Sequence, residues 1–159
     1  MATTDDSSGA QGYEEFEVPE REEIYRVSRT HIGMMESATS AEWVFAGMEH
    51  IVLRTIGRRS GKEHKVALPK WVDDGGNIVV VASNAGAPAH PAWFFNLSDR
   101  DANPDVLVKT SAGEFRSVPQ VLEGDEHDRI WAALTTDRPF YADYAVMAGR
   151  TIPLVRLPR

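Results

Sequence analysis

EHIVLRTIGRRSGKEHKVALPKWV, residues 49–72, is a pair of β-rich segments joined by a short basic turn. EHIVLRTI (49–56) alternates and is rich in β-branched residues, and HKVALPKWV (64–72) resumes the pattern. A connection this short leaves no room for a crossover helix, so the two segments read as an antiparallel hairpin with a wide loop. The same arrangement continues outward. DDGGN (73–77) is a strong turn signal before the buried strand IVVVASN (78–84), and residues 106–110 and 114–122 make another hairpin around SAGE. IPLVRL closes the chain as a last strand, and EHDRIWAAL places a helix over 125–136. Strands that follow one another by short turns specify an α+β fold with a mostly antiparallel barrel and peripheral helices, not a βαβ sheet.

The turn itself, GRRSGK, looks like a nucleotide-phosphate loop but fails its requirements. Gly57 and Gly61 enclose three residues, not four, and Glu63 stands where a metal-binding hydroxyl is needed. What remains is a basic, glycine-flanked turn. Residues 54–70 carry Arg54, Arg58, Arg59, Lys62, Lys65 and Lys70 against one acid, Glu63. Such a run can be a solvated face, but its density beside two glycines suits a small anionic partner. A nucleic acid would want a broader basic face.

The net charge of −7 hides this feature. Acidity is concentrated in residues 1–23, where Asp5, Asp6, Glu14, Glu15, Glu17, Glu20, Glu22 and Glu23 face one base, Arg21. Residues 1–18 read as a disordered acidic tail. Residues 19–159 form one domain, opened by an amphipathic helix over 20–37 with Pro19 in its first turn and Ile24, Val27, Ile32 and Met35 near one face. The chain has no cysteine, no apolar run long enough to cross a bilayer, and no signal-peptide pattern at its start, which together suggest a cytoplasmic protein. His90 and His127 lack the spaced partners of a metal site, so no metal is expected.

VASNAGAPAHPAWFFNL (81–97) carries the functional reading. A buried strand runs into Ser83 and Asn84, then into small residues around Gly86 that let a ligand approach the backbone. Pro91 suits the first turn of a short helix bearing Trp93 and Asn96, whose free N–H groups could meet a planar or anionic ligand. Together with GRRSGK, ANPDV and a YADY segment before the last IP-containing strand, this stretch resembles the deazaflavin-dependent nitroreductase family over roughly residues 43–159. These are split β-barrel oxidoreductases that use coenzyme F420, with a barrel similar to FMN-binding ones.

The resemblance implies a set of roles. Arg58, Arg59 and Ser60 would hold the cofactor's anionic tail, with Lys65 as a further cation and His64 beside it where the family often has Arg. The backbone of Val66, Ala67, Leu68 and Pro69 would line the way to the ring. The ring would lie against Val81, Ala82, Ser83 and Asn84 and the helix Ala92, Trp93, Phe94, Phe95 and Asn96. Tyr141 and Tyr144, three apart, share a helical face as a lid, with Tyr144 nearest the cofactor and Met147 softening the acceptor pocket. Each has a plainer reading: Trp93, Phe94 and Phe95 as core, Ser83 as a strand-end hydroxyl, the tyrosines as caps of the barrel. The implied activity is hydride transfer from reduced F420 to a quinone, an enone such as an unsaturated lactone, or a nitroaromatic, with Tyr144, Ser83 or water supplying the proton. The rivals are a split barrel that retains FMN and a non-catalytic deazaflavin-binding protein. The chain would act as a monomer or homodimer, and a membrane role is required by nothing in it.

Overall fold

The structure, a computed structural model, describes residues 21–37 and 43–159. The expected acidic tail and the helix start at Pro19 lie outside the described residues. Helix α1 spans Arg21–Ser37, and strands β1 (Val44–Phe45), β2 (Met48–Ile56) and β3 (Glu63–Pro69) follow. β4 (Trp71–Val72) and β5 (Ile78–Val81) lead to helix α2 (Ala92–Ser98). Then come β6 (Val106–Thr110), β7 (Gly113–Ser117), β8 (Gln120–Val121), α3 (Gly124–Asp137), α4 (Phe140–Ala148) and β9 (Leu154–Leu157).

Two antiparallel sheets result. One orders β1-β2-β6-β7 with β3 along the other edge of β2, and the second orders β4-β5-β9-β8. The hairpin read at residues 49–72 is present, with Arg54 opposite Lys65 and Thr55 opposite His64. The strand expected over 64–72 is not continuous, however. It ends at Pro69 and resumes as β4 in the second sheet, paired to β5. The strand expected over 114–122 divides in the same way, between β7 and β8 on either side of Val118 and Pro119. Proline has no N–H for the ladder, so each is a natural place for the chain to leave one sheet for the other. These two crossings are what split the barrel.

Strand alternation then fills three layers. Ile51 and Leu53 of β2, Ile78 and Val80 of β5, and Val155 and Leu157 of β9 meet between the sheets with Trp93 and Leu97. The opposite face of β2 offers Val52 to Met35, Trp43, Ile32 and Ala67 beneath α1. The opposite face of β5 offers Val79 and Val81 to Ile130, Leu134, Tyr141 and Tyr144 of α3 and α4. Both strands are therefore covered on both faces, which is why IVVV reads as a continuous apolar run.

α1 is also latched electrostatically. Glu36 accepts from Lys65 Nζ at 2.9 Å and lies 3.7 Å from Arg54 and 3.9 Å from Lys109. The bond from Lys65 and the surrounding positive charge hold the Glu36 carboxyl below its ordinary pKa, even against partial desolvation.

His50 sets an acid limit. It is 6% exposed, its Nδ1 donates to the Met48 carbonyl at 2.9 Å, and its ring meets that of His31 at 5.1 Å. Burial pushes its pKa down to about 4, helped by the nearby His31 and Arg138. The unfolded chain takes up a proton near pH 6.5 that the folded chain refuses, so stability falls as pH drops from there toward 4. The loss from this group amounts to about 3 kcal/mol at pH 4. His90, also held below its ordinary value by burial, acts in the same direction. Urea melts between pH 7 and pH 4 should show this slope, and His50→Gln should flatten most of it. An equally steep slope in that variant would assign the effect elsewhere.

Candidate active site

The register of β2 and β3 sorts the six bases of residues 54–70 into two groups. Arg54 and Lys65 are cross-strand partners on the α1 face, where Glu36 holds them, and Lys70 Nζ bonds Glu49 at 3.1 Å. Lys65, expected at the cofactor tail, is thus spent on α1. Arg58, Arg59 and Lys62 lie in the turn, and among the described residues no carboxylate pairs with any of them. A one-residue alternation along β3 makes the difference: Lys65 and Ala67 share the helix face, while His64, Val66 and Leu68 take the other.

The turn is built around its glycines. Gly57 N–H donates to the Lys62 carbonyl at 2.8 Å, and Gly61 N–H donates back to Gly57 at 2.9 Å. A Cβ on Gly57 would come within 2.4 Å of Ser60 Oγ and 2.8 Å of His64 Nε2, so a larger residue would displace both side chains from the turn. Ser60 Oγ accepts from the Lys62 amide at 3.2 Å and meets His64 Nε2 at 3.3 Å, so both side chains shape the turn. Arg58 is held from below. Its backbone N–H and its Nη1 both donate to Asn96 Oδ1, at 3.2 and 2.9 Å, and its guanidinium lies 5.1 Å from the centre of the Phe95 ring. Arg59 and Lys62 extend into solvent.

Asn103 joins this turn to α2. It is 2% exposed; Nδ2 donates to the carbonyls of Ile56 and Asn96 at 2.8 and 2.7 Å, and Oδ1 accepts from the Ile56 amide at 2.7 Å. The ANPDV motif therefore owes its asparagine to backbone groups at the end of β2 and in α2. Asn103→Ala would leave one buried carbonyl and two part-buried backbone groups without their partner and cost about 1 to 3 kcal/mol. A drop in melting temperature reports this, and an unchanged melt would show that water replaces the amide.

α2 splits its aromatics. Trp93 packs in the barrel cluster and Phe94 partly so, while Phe95 is 40% exposed beneath Arg58. The Trp93 indole is packed in the barrel core, and Asn96 accepts from Arg58. Ala92 is exposed on the first turn of this seven-residue helix. Val81 and Ala82 are buried in the clusters on opposite faces of the sheet, and Ser83 and Asn84 emerge partly exposed. Asn84, Ala85 and Gly86 then all take positive φ, 50°, 53° and 77°, a left-handed run unusual for the first two.

α4 covers that run. A Cβ on Gly86 would stand 3.2 Å from Met147 Cβ and 3.3 Å from Tyr144 Cδ1, so glycine permits the close approach. Both tyrosines are on α4 and buried, but they differ in polar contact. Tyr141, 3% exposed, bonds Arg138, and burial raises its pKa to about 12. Tyr144 is 7% exposed, burial also raises its pKa, and its hydroxyl makes no hydrogen bond among the described residues. Of the pair, Tyr144 has a phenol O–H to offer a ligand. Met147 is largely exposed beside it.

Sequence reasoning missed Arg150, which binds the Ser83–His90 loop from behind; a single arginine after a helix carries no signal of its own. It also missed the roles of Asn103 and Asn96. With these in place, contacts run unbroken from the basic turn through Phe95, His90 and Arg150 to Gly86 and Tyr144.

A family model, F420H(2)-dependent quinone reductase, matches residues 25–158. The chain belongs to this family. Among relatives of the F420H(2)-dependent quinone reductase family, one from Mycobacterium tuberculosis is 29% identical over 112 residues, 69% of this chain and 72% of that protein. A solved F420-H2 dependent reductase is 33% identical with a TM-score of 0.57, covering 69% of this chain and 93% of its own. A structure described as a domain-swapped dimer is 30% identical with a TM-score of 0.60, covering 87% and 96%. The fold is accordingly that of the split-barrel F420 reductases. As a family member the chain is an oxidoreductase whose cofactor is coenzyme F420 and whose acceptor is of quinone type.

The residues present suit that cofactor. Its tail carries a phosphodiester and carboxylates, and Arg58, Arg59 and Lys62 are three cations free of internal acids. Its planar ring requires an apolar and partly polar surface, which Phe95, the Ser83–Gly86 backbone and Tyr144 supply within one contact path. Among the described residues no cluster of His, Asp or Glu could hold a metal.

Proposed function

We propose that this F420H(2)-dependent quinone reductase anchors the cofactor tail on Arg58, Arg59 and Lys62 and holds the ring between the Ser83–Gly86 loop and Tyr144. The observation that carries the reading is the sorting of charge: three bases of the run are paired with Glu36 and Glu49, and three in the turn have no acid among the described residues, of which Arg58 is held on Asn96 and Phe95 of α2. Bound and reduced, a deazaflavin supplies a hydride from its ring carbon. The chain's part is orientation and hydrogen bonding. Ser83 Oγ donates to a ring carbonyl or to the acceptor. Tyr144, kept protonated by burial, donates to the acceptor oxygen that gains negative charge, and solvent completes its protonation. Nitroaromatics and enones fit the same requirement of an electrophile with a hydrogen-bond-accepting oxygen. His64, Ser60 and Asn96 support the turn, and Lys65 pairs with Glu36 of α1, instead of meeting the cofactor directly.

Fluorescence titration with F420 and, separately, with FMN tests the assignment, followed by oxidation of reduced F420 with menadione. Micromolar or tighter F420 binding with turnover is expected. Tight FMN binding without F420 binding would refute the cofactor site, and binding without turnover across quinones, enones and nitroaromatics would leave a carrier protein.

The assembly is proposed to be a homodimer in the cytoplasm, by likeness to the domain-swapped neighbour; light scattering of the full chain decides the dimer. No helix among the described residues is long and apolar enough to cross a membrane. Residues 1–18 are proposed to act as a solvating acidic tail outside the domain.

A further inference from the structure

Arg150 follows Gly149, whose φ of 62° turns the chain out of α4. Its guanidinium reaches back to both ends of one loop. Nη2 donates toward the carbonyls of Ala82 at 3.3 Å, Ser83 at 3.1 Å and Ala89 at 3.2 Å. Nε donates to Ala87 at 3.2 Å, and Nη1 donates to His90 Nδ1 at 2.7 Å. One side chain thus joins the entry of the loop to its exit. Between them lie Asn84, Ala85 and Gly86, all at positive φ, which glycine adopts freely but which persists at Asn84 and Ala85 only where the surroundings over-determine it. Asn84 Nδ2 adds one further tie, to the Ala89 carbonyl at 3.0 Å.

The chemistry of the clamp is specific. Only arginine presents enough N–H donors in one plane to meet five acceptors; lysine has three on a point charge. Among the described residues no carboxylate pairs with Arg150, so its charge is met by carbonyl dipoles and one imidazole. His90 serves as an acceptor because burial, and then the neighbouring guanidinium, keep its ring neutral. The ring stacks edge-on against Phe94 at 5.0 Å, which ties the clamp to α2.

We infer that Arg150 is a positioning residue for the ring end of the cofactor: by clamping residues 82–90 it fixes Ser83 and Gly86 opposite Tyr144, and it acts on ring binding and hydride transfer independently of the tail cations. The inference rests on the proposed assignment of this loop to the ring.

The test compares two ligands on the full chain. One is F420; the other is its ring and ribityl chain without phosphate or glutamates. Arg150→Met should weaken the ring-only ligand by about tenfold or more and lower kcat at saturating F420. Weakening of intact F420 should be smaller, because Arg58 and Arg59 still hold its tail. Arg150→Lys should recover part of the ring affinity. In the cofactor-free protein, amide exchange at Gly86 and Ala87, which bond Ser83 and Asn84 within the loop, should quicken by about tenfold. Unchanged ring affinity and unchanged exchange in a folded Arg150→Met protein overturn the inference. Where that variant does not fold, Arg150→Lys and His90→Gln are read by the same two measurements. Wild-type protein that binds neither ligand overturns the proposed cofactor site instead, and the exchange rates still decide whether Arg150 clamps the loop.

Discussion

Arg58→Ala with Arg59→Ala is expected to raise the dissociation constant of F420 by about 10- to 100-fold, with little effect on a ring-only deazaflavin. Two charge-assisted contacts to an anionic tail are lost. Both sites are near solvent, so each contact is worth little more than about 1 kcal/mol at physiological salt. For the same reason wild-type affinity should fall with ionic strength, and the double variant should lose most of that dependence, since exposed charges are screened over about 10 Å at 0.1 M salt. Arg58 also grips Asn96 and covers Phe95, so its removal loosens the turn. Arg59→Ala alone separates the effects, because Arg59 makes no hydrogen bond or ion pair among the described residues. Titration at low and high salt gives the answer. Equal affinity and an equal salt slope would mean that the turn is only solvated.

Tyr144→Ala carries the other large effect. Truncating a ring packed against Gly86 and Met147 opens a cavity in the α4 layer and costs about 2 to 4 kcal/mol. The left-handed run at Asn84–Gly86 loses its cover, so acceptor choice should move as well. The ratio of kcat/KM between a quinone and a nitroaromatic is expected to change by about tenfold. Tyr144→Phe isolates the hydroxyl. That group makes no hydrogen bond among the described residues, so its loss should leave the melting temperature near that of wild type and lower kcat for the quinone. Tyr141→Phe should behave in the opposite way, disturbing stability through Arg138 with little change in acceptor preference. Identical kinetics across acceptors for both Tyr144 variants would remove Tyr144 from the site.

The contrast between the tyrosines shows what pattern alone could reach. Spacing placed Tyr141 and Tyr144 on one helical face, and the structure buries that face against β5 and α3. Which hydroxyl is engaged depends on Arg138, which arrives from the end of α3 and is not encoded by the spacing. Lys65 tells the same story. Composition marked it as one of six bases, but whether it meets a ligand or Glu36 turns on the register of β3 and on α1 docking across it.

Alone, the sequence determined the antiparallel hairpins, the buried β5, the helices, the glycine-built basic turn and the family. All of these depend on local periodicity, turn chemistry or motifs that survive in one dimension. Tertiary structure decided where β3 and β7 leave the first sheet, which three cations remain without acids, and how Asn103 and Arg150 hold the two ends of the site. Asn103 and Arg150 reach across 47 to 68 residues of chain, single polar side chains bonded to backbone carbonyls and amides. Backbone groups are the same at every residue, so no sequence pattern marks the partner; only the folded chain brings donor and acceptor together.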